Sequence, residues 1–513
     1  MSPAASRSPK PWFSARPEWA ALLTVALVAA FRAFGTVDSD VAWQLWTAHH
    51  LNQGAQLYRD IVEINPPLWF WMALPVDRAA SLAGLRPETA LVWTTAALQA
   101  LSLVATSRLL TLPRGPKTLL LVYAALVLAA FPWVHAGQRE QIVLIAALPY
   151  AALIAARRGG RPVPPGFALL IGIGAGLGFA LKHYFLIVPA LLELWLFLRQ
   201  RRGWSLVRPE IAGLAAVGLL YAGAILLFAR DFLTVTLPMI RLAYGVTGAP
   251  ALAQLFQPLL LLSLAIVAVA AFHLRLARDR QSDFVQGLLV AAIGFALVYF
   301  IQAKGWPYHA IPLFGCGAIA LAALLASLAQ PPRPLRIAGP VLLALPFVLT
   351  WQETRHPLLP SADLKAAVAG VKPGTSVGFL ATEPAFAWSV TLQHRFTYPS
   401  RYIGYWMMRA VVANEARPNP EPALAAFGRQ VVRDTITDFR CAPPQRIIVN
   451  RPTPAEAARG EFDILAWFQR DPEFAALMGH YRHVSRTSAD VYDLASPLPP
   501  PVPGSCRMQN RQG

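Results

Sequence analysis

Charge is what this chain is short of. Only 14% of its 513 residues are Asp, Glu, Lys or Arg, where an ordinary soluble domain carries about 25%. That shortage excludes a protein that is soluble throughout. Acids are scarcer still, 27 against 45 basic residues. The net charge of +18 does not point to nucleic acid. The basic residues gather between apolar blocks, as loop charges of a membrane protein do, and no DNA- or RNA-binding module is readable. Cysteine is nearly missing: Cys316 lies in an apolar run, and Cys441 and Cys506 lie near the carboxyl end. They have no metal-ligand spacing, and whether Cys441 and Cys506 pair depends on the compartment of the tail. His49, His50, His183 and His309 lack metal spacing too, so no metal site and no cofactor are expected. There is no internal repeat, which argues against a transporter with broken helices in paired halves.

What the chain does have is apolar length. Ala20–Ala30, Leu119–Ala130, Ile211–Phe228, Pro258–Phe272 and Gly287–Ile301 are nearly charge-free. With their flanks they approach the roughly 20 residues that cross a bilayer. The blocks stop near Trp351. From Gln352 the sequence reads as a soluble α/β region: "TSVGFLA", "RIIVNR" and "SADVYDL" as strands, "EFDILAWFQRDPEFAALMGHY" as a helix. Four parts are expected: an N-terminal segment 1–18, a membrane part 19–351, an α/β domain 352–495, and a proline-rich tail 496–513 with no fold of its own.

Basic loops mark the cytoplasmic side. They are the N-terminus (Arg7, Lys10, Arg16), Arg108–Lys117, Arg157–Arg161, Arg199–Arg208, Arg275–Arg280 and Arg333–Arg336. Two spans fit between each pair from Lys117 onward. Before Arg108 there are three apolar segments, and an even number must span. The middle one, near Pro67–Gly84, is short and holds Pro75, Asp77 and Arg78. It is expected to lie in the outer interface. The result is a mostly α, polytopic bundle of about eleven spans, N-terminus inside and α/β domain outside. The outer turns are then a first loop over 38–87, "HAGQREQ", "LKHYF", the segment Asp231–Gln257 and "QAKGWPYH".

Those turns collect carboxylates (Asp38, Asp40, Asp60, Glu63, Glu140), cations (Arg139, Lys182, Lys304) and aromatic or imidazole rings (Trp43, Tyr58, His183, Tyr184, Trp306, Tyr308, His309). Ionisable groups at a membrane edge are costly unless they pair or serve a site. A carboxylate can take a proton from an attacking hydroxyl, a cation can hold a phosphate, and ring faces can stack on sugars. Plainer roles stand beside these. Asp38 and Asp40 suit a helix cap, Asp60 suits a turn, and Arg139 with Glu140 suits a surface ion pair. Lys182 and Lys304 suit snorkelling. Arg32, inside the first apolar segment, either snorkels or meets an outer-loop acid.

The run Asp40, Ala48, Leu51, Gly54, Tyr58, Asp60, Glu63, Pro66, Pro67, Leu68 resembles the first-loop pattern of the GT-C superfamily of polyprenyl-phosphate-dependent glycosyltransferases. The nearest groups are protein-mannosyltransferase-like and aminoarabinose-transferase-like bacterial membrane enzymes. The resemblance covers the first third best. It implies a GT-C-type helical bundle in a bacterial inner membrane and a hexosyl- or pentosyltransferase. It implies a polyprenyl-phosphate-linked sugar donor and an envelope acceptor, with membrane lipid around the chain. It places Asp40 as the catalytic acid group, with Asp60 and Glu63 in the same loop, and inverting transfer. This chain has Val41 where relatives often have Glu, and Asn65 where many have a lysine before Pro-Pro. Donor phosphate must then meet Arg139, Lys182 or Lys304, with Lys182 or Lys304 favoured because Glu140 adjoins Arg139. The other readings are a glycan ligase or oligosaccharyl-type transferase, and a non-catalytic envelope-assembly protein.

Overall fold

A computed structural model describes residues 16–244, 250–276, 281–355, 361–452, 461–485 and 489–506. Arg7, Lys10, Arg278, Arg280, Ser488 and the last seven residues lie outside the described residues.

The apolar runs form helices whose ends coincide with proline and charge. They are α1 (Pro17–Arg32), α4 (Pro87–Leu109), α5 (Arg114–Ala129), α6 (Arg139–Arg158), α7 (Pro165–Phe179), α8 (Ile187–Gln200) and α9 (Pro209–Phe228). After the short α10 (Leu237–Ala243) and α11 (Ala251–Leu255) come α12 (Pro258–His273), α13 (Gln281–Gln302), α14 (Ile311–Ser327) and α15 (Arg333–Arg355). Five are long and apolar enough to cross a membrane among the described residues: α4, α6, α9, α13, and Pro307–Ser327, which includes α14. α7 and α12 are apolar but shorter. Leu219, Leu220 and Leu227 of α9 are three-quarters exposed, which demands an apolar solvent around them.

α6 is the bundle's central helix; nearly all of it is buried. α7 and α9 pack backbone against backbone. A Cβ on Gly172 would meet the Glu210 carbonyl at 2.1 Å, and one on Gly213 would meet the Leu169 carbonyl at 2.7 Å. At one end of α6, Arg157 holds the buried Glu210 through two bonds of 3.1 Å, Arg208 reaches Glu193, and Arg158 reaches Asp283 at 3.3 Å. The basic loops therefore meet at this end. The turns rich in carboxylates meet at the other, about 30 Å away along a 20-residue helix. Arg32, the last residue of α1, lays its guanidinium over the Trp133 ring, 5.5 Å from the centroid.

The middle apolar segment forms α3 (Leu68–Ala83), with Pro75 inside it and Gly84 closing it at positive φ. Its polar residue Asp77 is used. His49 and Asn52 of α2 (Ser39–Asn52) bond its two carboxylate oxygens at 3.2 and 2.8 Å. α3 is thus tied to a polar helix.

The C-terminal region is a four-stranded sheet, order β1-β2-β4-β3, of β1 (Val377–Leu380), β2 (Arg446–Asn450), β3 (Tyr481–Ser485) and β4 (Ala489–Leu494). β1 and β2 are parallel, and the other pairs are antiparallel. α16 (Ala362–Val368), α17 (Pro384–His394), α18 (Met408–Glu415) and α19 (Pro422–Cys441) accompany it. Three strands fall where sequence placed them. The single helix expected over residues 461–481 does not form. It breaks into Ile464–Phe468 and Pro472–Met478, because Asp471 and Pro472 start a new helix with the Asp471 carboxylate capping Glu473 and Phe474. Its end, Tyr481, opens β3 instead.

The proline-rich tail has no regular element in its described part, yet it is held down. Leu498 packs on the α/β core, the Ala495 amide bonds the His480 carbonyl at 2.9 Å, and Cys506 forms a disulfide with Cys441. Closing a loop of this length stabilises by roughly 2–4 kcal/mol. Alkylation of denatured, unreduced protein should label Cys316 alone. Reduction should expose all three thiols and lower the melting temperature of the α/β region; three free thiols before reduction would overturn the pairing.

Candidate functional site

The site begins at a helix start. Asp38 is the N-cap of α2 and accepts the Val41 amide at 3.0 Å. The same carboxylate takes the His135 ring at 2.8 Å and the Gln138 amide at 2.9 and 3.2 Å, while the Asp38 amide donates to the Val134 carbonyl at 3.0 Å. The "HAGQREQ" turn is thereby fastened to α2. Gly137 makes that turn possible: its φ is +85°, and a Cβ there would sit 2.6 Å from Leu91. Trp69 of α3 donates to the Gly137 carbonyl at 2.9 Å.

Asp40, in the first turn of α2, is held more loosely. Its carboxylate faces the Tyr308 hydroxyl at 3.2 Å and the Gln138 amide at 3.4 Å, and it keeps some exposure. The two acids are therefore polarised apart. Burial would raise the Asp38 carboxyl, but His135, Val41 and Gln138 overcome it and hold it below the usual range. Burial and the charge of Asp38 push Asp40 above the usual range, against Arg139, Gln138 and Tyr308. Environments that separate two carboxyls in this way are typical of acid–base sites.

Arg139 opens α6 and is 4% exposed. Its Nε and Nη1 are buried without a hydrogen-bond partner. A buried guanidinium in this state, at a helix N-terminus whose amides add positive potential, is prepared for an anion. The adjacent Glu140 does not neutralise it by contact. Glu140 is fully buried and receives Lys182 Nζ at 2.5 Å. Lys182 also donates to Gln302 at 2.8 Å and lies 3.5 Å from His309 Nε2. Burial pushes Lys182 down to about 8. Lys304 bonds the Tyr244 carbonyl at 3.3 Å and sits 3.5 Å from the centre of the Tyr244 ring; burial pushes it too down to about 8. Lys182 and Lys304 both have partners within the protein. Arg139 and Glu140 are no surface pair.

The other expected residues separate into groups. Tyr308 and His309 are buried, and Trp306, 40% exposed, lies against both rings. Tyr184 meets the ring of the exposed His183 at 3.8 Å. The structure brings together Asp40, Arg139, Glu140, Lys182, Tyr308 and His309, and leaves His183 on the rim. Glu63 is 2% exposed and accepts four donors: Trp43 Nε1, the Ile64 amide at 2.8 Å, and Asn65 through its amide at 2.7 Å and its side chain at 2.6 Å. It ties the loop to α2. Asp60 accepts the Gln56 amide at 2.8 Å, a turn role. His135, Gln138, Gln302 and Tyr244 were not singled out from sequence. They lay inside the polar outer turns, but no pattern marked them. Among the described residues, no group of three His, Cys, Asp or Glu side chains is arranged to hold a metal ion.

No family model matches the chain, and no characterised protein matches it by sequence. Solved structures do. ArnT from Cupriavidus metallidurans in the apo state aligns over 93% of this chain and 98% of its own, at 14% identity and TM-score 0.52. The Archaeoglobus fulgidus oligosaccharyltransferase in the apo form aligns over 96% and 76%, at 13% identity and TM-score 0.46. Arabinofuranosyltransferase AftD from Mycobacteria aligns over 96% and 40%, at 15% identity and TM-score 0.47. The likeness to ArnT extends across both chains, and this chain shares its fold.

Removing either cation has different consequences. Arg139→Gln should leave the fold intact and weaken binding of a short-chain polyprenyl phosphate about 10- to 100-fold, as for lost hydrogen bonds to a charged group. Lys182→Met strands the buried Glu140 carboxylate and should cost about 3–5 kcal/mol of stability. Native mass spectrometry with added lipid, beside thermal melting, separates the two. An Arg139→Gln protein that binds the lipid normally sinks the anion assignment.

Proposed function

We propose that this protein is a membrane glycosyltransferase that moves a hexosyl or pentosyl group from a polyprenyl-phosphate donor to a cell-envelope acceptor, on the outer face of a bacterial inner membrane. The single observation that carries this is the pairing of a loosely held Asp40 with an unpartnered, buried Arg139. One is equipped to take a proton and the other to hold a phosphate. The GT-C fold is the setting in which that pairing makes sense.

In this reading Asp40 accepts the proton of the attacking acceptor hydroxyl. The acceptor oxygen bonds to the anomeric carbon as the bond from that carbon to the phosphate oxygen breaks. The lipid phosphate leaves from the opposite face with the electron pair, so configuration inverts. Arg139, helped by the α6 N-terminus, offsets the charge that builds on the leaving phosphate. Tyr308 and Gln138 orient Asp40. Glu140, Lys182 and His309 form a linked polar group beside them, and Glu140 Oε2 and His309 Nδ1 remain buried without partners, which suits sugar hydroxyls. Asn65, where a lysine would serve the donor in similar enzymes, is committed to Glu63, so Arg139 takes that duty.

The membrane arrangement is part of the same proposal. Eleven helices (α1, α4 to α9 and α12 to α15) would span, with α3 in the outer interface. The α/β region and the polar turns would face outward. The Cys441–Cys506 disulfide supports this, since such bonds persist in oxidising compartments. A reporter fused after Gln352 should then read as periplasmic and one in Arg199–Gly203 as cytoplasmic. A cytoplasmic tail would overturn the sidedness.

Asp40→Asn keeps the shape and removes the basicity. It should insert and fold normally, yet lose about 10²- to 10⁴-fold in transfer rate. Glycolipids and envelope polysaccharides of a deletion strain, complemented with parent or variant, provide the measurement. Asp38→Asn should instead act through the clasp on His135 and Gln138, lowering stability more than chemistry. Because the Asp40 carboxyl is raised, the rate should climb with pH through a transition above the ordinary carboxylate range, and that step should vanish in Asp40→Asn. Transfer by Asp40→Asn at close to the parental rate would end the assignment.

A further inference from the structure

A backbone contact joins the C-terminal α/β region to the first loop, beside the ring contacts of Trp388 with Trp43 and Trp46. The Val62 amide donates to the Arg401 carbonyl at 2.8 Å, and Val62 pairs with Tyr402 in a short parallel bridge. Glu63 follows immediately, and its carboxylate receives Trp43 Nε1 from α2. Trp43 lies one turn beyond Asp40, stacks on Trp46 and meets the edge of Trp388 of α17. A continuous line of contacts therefore runs from Arg401 to the helix that carries Asp40.

The Arg401 side chain points away from the site and is itself clamped. Its guanidinium bonds Asp438 at 2.7 and 3.1 Å and Asp434 at 3.2 Å, both on α19. Its backbone amide bonds Asp438 at 2.9 Å, and the neighbouring Tyr402 hydroxyl bonds Asp434 at 2.7 Å. A buried ion cluster of this kind contributes little net stability, since desolvation offsets the attraction. Its use is geometric: five hydrogen-bonding groups hold a two-residue stretch in one position. The grip on Val62 is the only contact of that stretch, among the hydrogen bonds of the described residues, that leaves the α/β region for the first loop.

We propose that Arg401 is a positioning residue, through which the α/β region holds Glu63, Trp43 and hence α2 in the geometry that presents Asp40. This rests on the transferase reading for its catalytic consequence, but the mechanical linkage stands apart from it. The α/β region is then a working part of the site and not an appended module.

The test uses full-length protein in lipid nanodiscs: the parent, Arg401→Lys, and the milder Tyr402→Phe, which removes only one hydroxyl from the clamp. Hydrogen–deuterium exchange of residues 56–66 should rise about tenfold or more in Arg401→Lys and less in Tyr402→Phe, with α19 unchanged. Unchanged exchange over 56–66 in both variants overturns the linkage. In complemented cells, Arg401→Lys should lower transfer with donor binding intact, and that loss should disappear in a Glu63→Gln background. Equal losses in both backgrounds mean that Arg401 does not act through Glu63. A parent protein that transfers no sugar sinks the transferase reading, and the exchange result then decides the clamp alone.

Discussion

The Asp38 carboxylate is the joint on which the site depends. It caps α2, receives His135 and Gln138, and so fixes the start of one helix against the turn that leads into another. With α2 and α6 locked at their N-termini, Asp40 and Arg139 are placed without needing a contact between them. The rest of the polar cluster follows from the same meeting of turns. Tyr308 and His309 arrive from the start of α14, Lys182 from the end of α7, and Gln302 from the end of α13. One carboxylate with short bonds on every side carries the architecture, and Asp40 beside it is held through two longer ones.

Much of this was legible in the sequence. The bundle announces itself through apolar runs bounded by proline and arginine, and the polar turns are recognisable because charge is rare elsewhere. Asp38 as a cap and Asp60 in a turn follow from local chemistry alone. What sequence misjudged was pairing. Arg139 and Glu140 are neighbours in the chain, but successive residues on a helix point in different directions. Glu140 turns to Lys182, 42 positions away, and makes no hydrogen bond to Arg139. The distance along the chain hides that exchange. β3 was hidden for a related reason. All its residues after Tyr481 are exposed, so no hydrophobic alternation marks this edge strand, and its position is set by pairing with β4.

The C-terminal region shows how a small sheet can be fastened to a membrane bundle with little area. Trp388 inserts between Trp43 and Tyr398 and donates to the Ile403 carbonyl at 2.8 Å. Arg59 reaches Asp231, and Tyr244 meets Trp406, so the outer stretch after α9 is stitched to both partners. Aromatic rings make the contacts to α2, and one charged pair, Arg59 with Asp231, joins the first loop to the stretch after α9.

α9 touches the remainder of the bundle mainly through bare backbone, at Gly172 and Gly213, while its leucines face outward. Over evolutionary time such a helix has two very different rates of change. Its outward face answers only to the demand that it stay greasy, so leucine, isoleucine, valine and phenylalanine can trade places there almost freely. The two glycines cannot drift even to alanine, because one methyl group would occupy space already held by a carbonyl. One of the gaps, Gly213, is on α9 and the other, Gly172, is on the facing α7, so the two helices answer to a single shared constraint.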